Sequence, residues 1–171
     1  MGVLTTYGDP SGVWIESGTY LGRTTQFLAR SAKHVFTIEP SVDLARRADR
    51  RFRGNSKVSV INGLSECELP KILSESSGSI SLFLDGHFSS GETFRGPFDT
   101  PIIAELTAVE NFWDGASPLA ILVDDFRCFA SRGNSIGSYP SRGFLIDFAE
   151  RMELNWTVEF DIFACWSEST E

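Results

Sequence analysis

The sequence predicts an α/β protein: a mainly parallel seven-stranded sheet, helices on both faces, and a C-terminal antiparallel hairpin. Three observations predict it. Strand-like runs alternate with helical patterns along the 171 residues. The runs are near-continuously apolar, as a sheet covered on both faces requires. The last two lie too close together for a helical crossover, so they pair antiparallel. No linker, repeat or low-complexity stretch divides the chain, so residues 1–171 read as one domain.

Taken in order, residues 13–16 read as the first strand and 23–31 as the first helix. Residues 34–39 form a second strand, with Val35, Phe36 and Ile38 apolar. Ser41 caps a helix over 42–52, because its hydroxyl can accept from an unpaired first-turn amide. Residues 58–62 give a third strand, 68–74 a short helix and 76–79 a loop. Residues 80–85 form a fourth strand, apolar up to its terminal acid. A helix over 101–112 sets Ile102, Ile103, Leu106 and Val109 on one face. Residues 119–123 are the fifth strand, 144–152 a helix, and 156–161 with 163–166 the hairpin. The glycine- and serine-rich stretch 133–143 reads as a long active-site loop. Trp14, inside the first strand, is assigned to the core.

With 42% hydrophobic residues the chain can bury a sizeable core. No run of eighteen apolar residues exists, and no membrane span is expected. The first residues show no charged segment followed by an apolar one, so no secretory signal is read. Net charge is −8. The one basic cluster, Arg46, Arg47, Arg50, Arg51 and Arg53, falls at helical spacing and reads as a solvated helix face. A nucleic acid is therefore not an expected partner. Cys67, Cys128 and Cys165 are odd in number and widely spaced, which suits reduced thiols in a cytoplasmic chain better than disulfides or zinc.

Function is read at the segment Val13 to Gly22. A short strand ends in Glu16, Gly18 and Gly22 follow, and a helical pattern begins at Thr24. A glycine turn after a parallel strand lets a ligand approach the backbone closely, and an adenosine-type ligand fits across it. The spacing is E-x-G-x-x-x-G rather than the three-glycine dinucleotide fingerprint, which weakens a nicotinamide oxidoreductase reading.

Four of the first five strands end in acids: Glu16, Glu39, Asp85 and the pair Asp124-Asp125. Ligands bind at this end of open α/β sheets. Glu39 has two readings, a ribose acceptor or a charge placed favourably at a helix N-terminus. Asp85, Asp124 and Asp125 also have two. They hold a divalent cation, with all-oxygen ligation suited to magnesium, or one caps a loop while the others face solvent. His87 is a general base or a polar loop residue. Arg127 and Arg132 grip an anionic substrate or balance the local acids.

The glycine turn resembles motif I of the class I S-adenosylmethionine-dependent methyltransferases. Leu84-Asp85-Gly86-His87-Phe88-Ser89-Ser90-Gly91, Phe98-Asp99-Thr100-Pro101 and Leu122-Val123-Asp124-Asp125 resemble the macrocin-type sugar O-methyltransferases of that class. The resemblance implies a Rossmann-like methyltransferase fold. It implies S-adenosylmethionine on Glu16, Gly18, Thr19, Gly22, Glu39, Leu64, Ser65 and Asp85. The third strand ends at Asn62-Gly63-Leu64-Ser65, where such folds touch the adenine. It further implies magnesium on Asp85, Asp124 and Asp125, holding a diol for methylation. The chain departs from that family at His87, where an acid is common, and in having almost nothing ahead of the first strand. The expected activity is methyl transfer to a small-molecule hydroxyl, with Asp85 and His87 catalytic. A non-catalytic nucleotide-binding scaffold is the alternative, and a homo-oligomer is compatible with either.

Overall fold

The computed structural model describes residues 2–86, 100–113, 115–129 and 139–168. One sheet of seven strands runs in the order β3-β2-β1-β4-β5-β7-β6. Its strands are β1 (Val13–Ser17), β2 (His34–Glu39), β3 (Val58–Asn62), β4 (Ile80–Leu84), β5 (Leu119–Val123), β6 (Asn155–Glu159) and β7 (Ile162–Trp166). The first five pair parallel, and β7 is antiparallel to both β5 and β6. The order reverses between β1 and β4, which makes the carboxyl ends of these two strands the switch point where such sheets bind ligands.

The helices are α1 (Gly2–Tyr7), α2 (Arg23–Leu28), α3 (Val42–Phe52), α4 (Ser65–Glu75), α5 (Ile102–Phe112) and α6 (Arg142–Arg151). One core lies between the sheet and α4, α5 and α6, around Ile15, Leu82, Leu106, Val109 and Phe148. The other lies on the opposite face, where Val3, Leu4, Leu28 and Ala32 pack with Trp14 and Leu122. β1, β4 and β5 are buried along their whole length, as strands covered on both faces must be. Trp14 is in this core, 1% exposed.

The element order follows the sequence reading, and the differences have local causes. Helix α1 precedes the first strand, where the reading assigned nothing. Six residues are too few to hold a helix alone. Val3 and Leu4 are buried, and the Tyr7 ring lies tilted against Trp166, centroids 4.7 Å apart, while its hydroxyl donates to Glu159. Helix α2 ends at Leu28 because Arg30 and Ser31 donate three residues back, which tightens the last turn. Helix α4 starts at Ser65 rather than at residue 68, because the Leu64 carbonyl already accepts from Cys67 and Glu68. On α5 the buried stripe is Ile102, Glu105, Leu106, Ala108 and Val109, while Ile103 is exposed. The hairpin turns at Phe160 and Asp161, both left-handed (φ 48° and 70°), as a two-residue turn between twisted strands requires.

No helix among the described residues is long and apolar enough to cross a membrane. The three cysteines carry free thiols.

Candidate active site

The site is built along the carboxyl edge of the sheet. Parallel register places Ile38, Ser17, Leu84 and Val123 side by side. The next amides stitch this edge together: Gly18 donates to Ile38 (3.0 Å), Asp85 to Ser17 (3.0 Å) and Asp124 to Leu84 (3.1 Å). At the far side, Gly63 and the Asn62 side chain donate to the Glu39 carbonyl. Residues far apart in sequence thus meet in one row, with Gly18, Asp85 and Glu39 around the switch point.

The turn after β1 is held open by its backbone. Gly18 has φ +91°, and a Cβ there would stand 2.6 Å from the Asp85 carbonyl oxygen. Gly22 has φ +69° and presses on the Phe52 ring, which a Cβ would meet at 2.8 Å. Between them Tyr20 is also left-handed (φ 46°), and its amide donates to Glu39 Oε2 at 2.8 Å. Glu39 Oε1 accepts from Ser41 N at 3.0 Å. Both readings of Glu39 therefore have a basis. It orders the start of α3 and the glycine turn, and each carboxylate oxygen keeps a second lone pair for a ribose hydroxyl. The turn approaches the β4 end closely and presents an acid at the β2 end, so these residues fit an adenosine ligand.

Glu16 sits elsewhere in this arrangement. Its side chain is 1% exposed and faces α2. Oε2 accepts from Thr25 Oγ1 at 2.5 Å and from Thr37 Oγ1 at 2.6 Å, and Thr37 is bonded in turn to Thr19 Oγ1 at 2.6 Å. Burial pushes the Glu16 pKa up to about 7 against the pull of the two hydroxyls. Glu16 and Thr19, both expected at the cofactor, thus form a buried network beneath the turn and support its shape.

A second buried acid escaped the sequence reading. Glu105 is 1% exposed, and burial raises its pKa to about 7 despite the nearby Ser65 and Ser17 hydroxyls. Its Oε1 and the Ser17 Oγ have no hydrogen-bond partner among the described residues. Glu105 lines a small cavity with Asp85, Gly86, Thr100, Asp124 and Tyr139. The signal was present: residue 105 falls three after Ile102 and four before Val109, an acid on an apolar stripe. Ser65 is buried in the first turn of α4, and Leu64 precedes it in extended conformation.

Asp124 and Asp125 follow β5 as expected, but the three acids do not form one ligand set: Asp124 lines the small cavity with Asp85, while Asp125 pairs with Arg127. Asp125 takes a left-handed turn (φ 56°), and its Oδ1 meets Arg127 at 2.5 Å. Arg127 also grips the hairpin residue Asp161, whose carbonyl accepts from Phe126 N. Asp124 Oδ1 accepts from the Asp125 amide. Among the described residues no three acid, imidazole or thiol groups come together as a metal site. The counter-charge assigned to magnesium is supplied at Asp125 by Arg127, so these residues do not fit the ion. His87, Arg132 and residues 88–91, 98, 99 and 133–138 lie outside the described residues.

No family model matches the chain, and no curated protein matches it. Solved structures do. The fold is similar to a SAM-dependent methyltransferase from Aquifex aeolicus, at TM-score 0.52 and 14% identity over 96% of this chain and 86% of that one. A DhpI–SAH complex matches at TM-score 0.54 and 13% identity, over 96% and 80% of the two chains. An rRNA methylase from Streptococcus thermophilus matches at TM-score 0.55 and 12% identity, over 96% and 90%. At these identities the likeness establishes the fold: a Rossmann-like methyltransferase sheet with its C-terminal antiparallel hairpin.

Proposed function

We propose that the chain binds S-adenosylmethionine and transfers its methyl group to a hydroxyl of a small molecule. The observation that carries the binding reading is the turn over Gly18, closed against the Asp85 carbonyl and tied through Tyr20 N to Glu39. The SAH complex among the similar folds supports the same ligand. In this reading Gly18, Thr19 and Gly22 shape the turn, with Glu16 beneath it. Glu39 accepts from the ribose hydroxyls, and Leu64 and Ser65 border the adenine.

Bound S-adenosylmethionine supplies a sulfonium-linked methyl group open to in-line attack. The chain's part is to orient the acceptor oxygen and take its proton. Asp85 is the proposed base among the described residues, with His87 beside it in sequence. Asp85, Asp124 and Glu105 give the small cavity an acceptor-rich lining, which favours a donor such as a hydroxyl. No step uses a metal. The sugar as acceptor rests on the resemblance alone.

Calorimetry with S-adenosylhomocysteine tests the reading. Binding is expected, and Glu39→Ala should weaken it by about 1.5–3 kcal/mol, the range for hydrogen bonds to a charged group. Absence of binding to the wild-type chain would overturn the reading. Binding without methyl transfer to any hydroxyl acceptor would favour the scaffold alternative.

A further inference from the structure

Net charge hides how the charges are distributed. Residues 23–57 carry nine of the 15 basic side chains and only three of the 23 acids, a local charge of +6. The remainder of the chain stands at −14. All nine cations, Arg23, Arg30, Lys33, Arg46, Arg47, Arg50, Arg51, Arg53 and Lys57, are exposed. They belong to α2, α3 and the segments that follow each helix.

Folding itself does not ask for this arrangement. Arg46 and Arg50, and Arg47 and Arg51, stand four residues apart on α3, where like charges destabilise a helix. The single acid among them, Asp49, reaches Arg53 at 4.0 Å. The apolar face of the helix, Leu44, Ala45, Ala48 and Phe52, is fully used in packing. The arginines thus stand at like-charge spacing on the exposed face of the helix, outside its apolar packing.

α2 and α3 also form a groove between them. It has a volume of about 250 Å³ and is lined by Gln26, Arg30, Arg51, Phe52 and Asn55. Arg51 spans it, donating to Gln26 Oε1 and to the Leu21 carbonyl of the glycine turn. The guanidinium lies 5.7 Å from the centre of the Phe52 ring. The basic surface is thus in contact with the turn described above.

We infer that the α2–α3 face docks a single-stranded nucleic acid through its phosphates. Seven of the nine cations are arginines, whose planar fork matches phosphate oxygens in a way that lysine does not. Arg46 to Arg53 spans about 10 Å at 1.5 Å rise per residue, room for about three phosphates at 3.4 Å per nucleotide. The amide groups of Gln26 and Asn55 in the groove offer base-edge contacts. The remainder of the chain, at −14 overall, repels a polyanion, which favours docking on this face. The inference stands apart from the methyl-transfer reading and needs no catalysis.

The test is fluorescence anisotropy of a labelled single-stranded RNA with the full chain, titrated at increasing salt. Engaging about three phosphates should cost about 20-fold in affinity between about 50 and 200 mM salt. The variant R46Q/R47Q/R50Q should reduce the log–log salt slope by about 2, at about 0.7 per lost contact. Its affinity for S-adenosylhomocysteine should equal wild type, which separates this result from failure of the cofactor reading and from misfolding. No RNA binding at low salt, or an unchanged slope in the variant, overturns the inference. So does displacement of the RNA by poly-glutamate or anionic vesicles at equal charge, since the face would then read charge without phosphate.

Discussion

Glu16 and Glu105 lie on opposite faces of the same sheet, each 1% exposed and each with its pKa raised to about 7 by burial. Their surroundings differ. Glu16 has two threonine hydroxyls on one oxygen and belongs to a closed network with Thr19. Glu105 has the Ser65 and Ser17 hydroxyls near it, leaves Oε1 without a partner at full hydrogen-bond geometry, and lines a cavity with Asp85 and Asp124. A raised pKa alone therefore does not separate a structural acid from a functional one. The hydrogen-bond inventory does, because a buried polar atom without a partner costs about 1–3 kcal/mol and calls for a reason. Glu16 supports the turn from beneath, and Glu105 borders the small cavity at the sheet edge.

The largest expected effect breaks the scaffold side. Gly18→Val forces a side chain onto the Asp85 carbonyl, 2.6 Å from the new Cβ, in a backbone that L-residues avoid. Left-handed strain of about 1–2 kcal/mol and overpacking of about 1–3 kcal/mol add to roughly 2–5 kcal/mol. A thermal melt should show Tm lowered by about 10 °C, at about 2–4 °C per kcal/mol for a chain of this size. An unchanged Tm with unchanged S-adenosylhomocysteine affinity would mean that the turn is neither tight nor in contact with ligand.

pH sharpens the comparison next. Both acids bind a proton more tightly folded, near pH 7, than unfolded, near the ordinary 4.5. The stability they confer is complete below pH 4.5 and is lost as pH rises to about 7, up to about 3 kcal/mol for each. Glu105→Gln and Glu16→Gln should each flatten the fall of unfolding free energy across that window, measured by urea denaturation. Only Glu105→Gln should also change ligand affinity or turnover, because Glu105 lines the cavity and Glu16 does not. If Glu16→Gln changes turnover as much while leaving stability intact, the division of roles fails.

The same contrast explains what was legible in the sequence. The strands could be read because fully buried parallel strands leave unbroken apolar runs, as in Leu119–Val123. The glycine turn could be read because φ +91° and a carbonyl at 2.6 Å demand glycine at residue 18. Helix α1 could not, since its partners include Leu122 and Trp166, far along the chain. Acids at strand ends were visible, but the direction of each side chain was not. Glu16 precedes the last residue of β1, so the pleat turns it under α2 instead of out to the edge. Glu105 is masked in the sequence because Ile103 extends the apolar pattern to the wrong side, although Ile103 is 52% exposed. The basic segment 23–57 is countable in the sequence, but the groove that brings Arg30 beside Arg51 and Phe52 exists only once the two helices pack.

The smallest expected effect concerns the β5 end. Three acids near one strand edge suggested a divalent cation, because like charges resist ionising together. The structure gives Asp125 a different partner. Arg127 holds Asp125 on one side and Asp161 on the other, tying the β5 end to the hairpin turn. With that charge already balanced, magnesium gains little from the site, and mass action has no strong native-state binding to draw on. Melts with millimolar magnesium and with chelator should give the same Tm, and methyl transfer should survive chelation. Arg127→Ala is the sharper probe. It removes the cation that ties Asp125 to Asp161, so the variant should lose Tm to the same extent with and without magnesium. A magnesium-dependent Tm in the wild-type chain, lost in Asp125→Asn, would restore the metal and assign Arg127 to the hairpin alone.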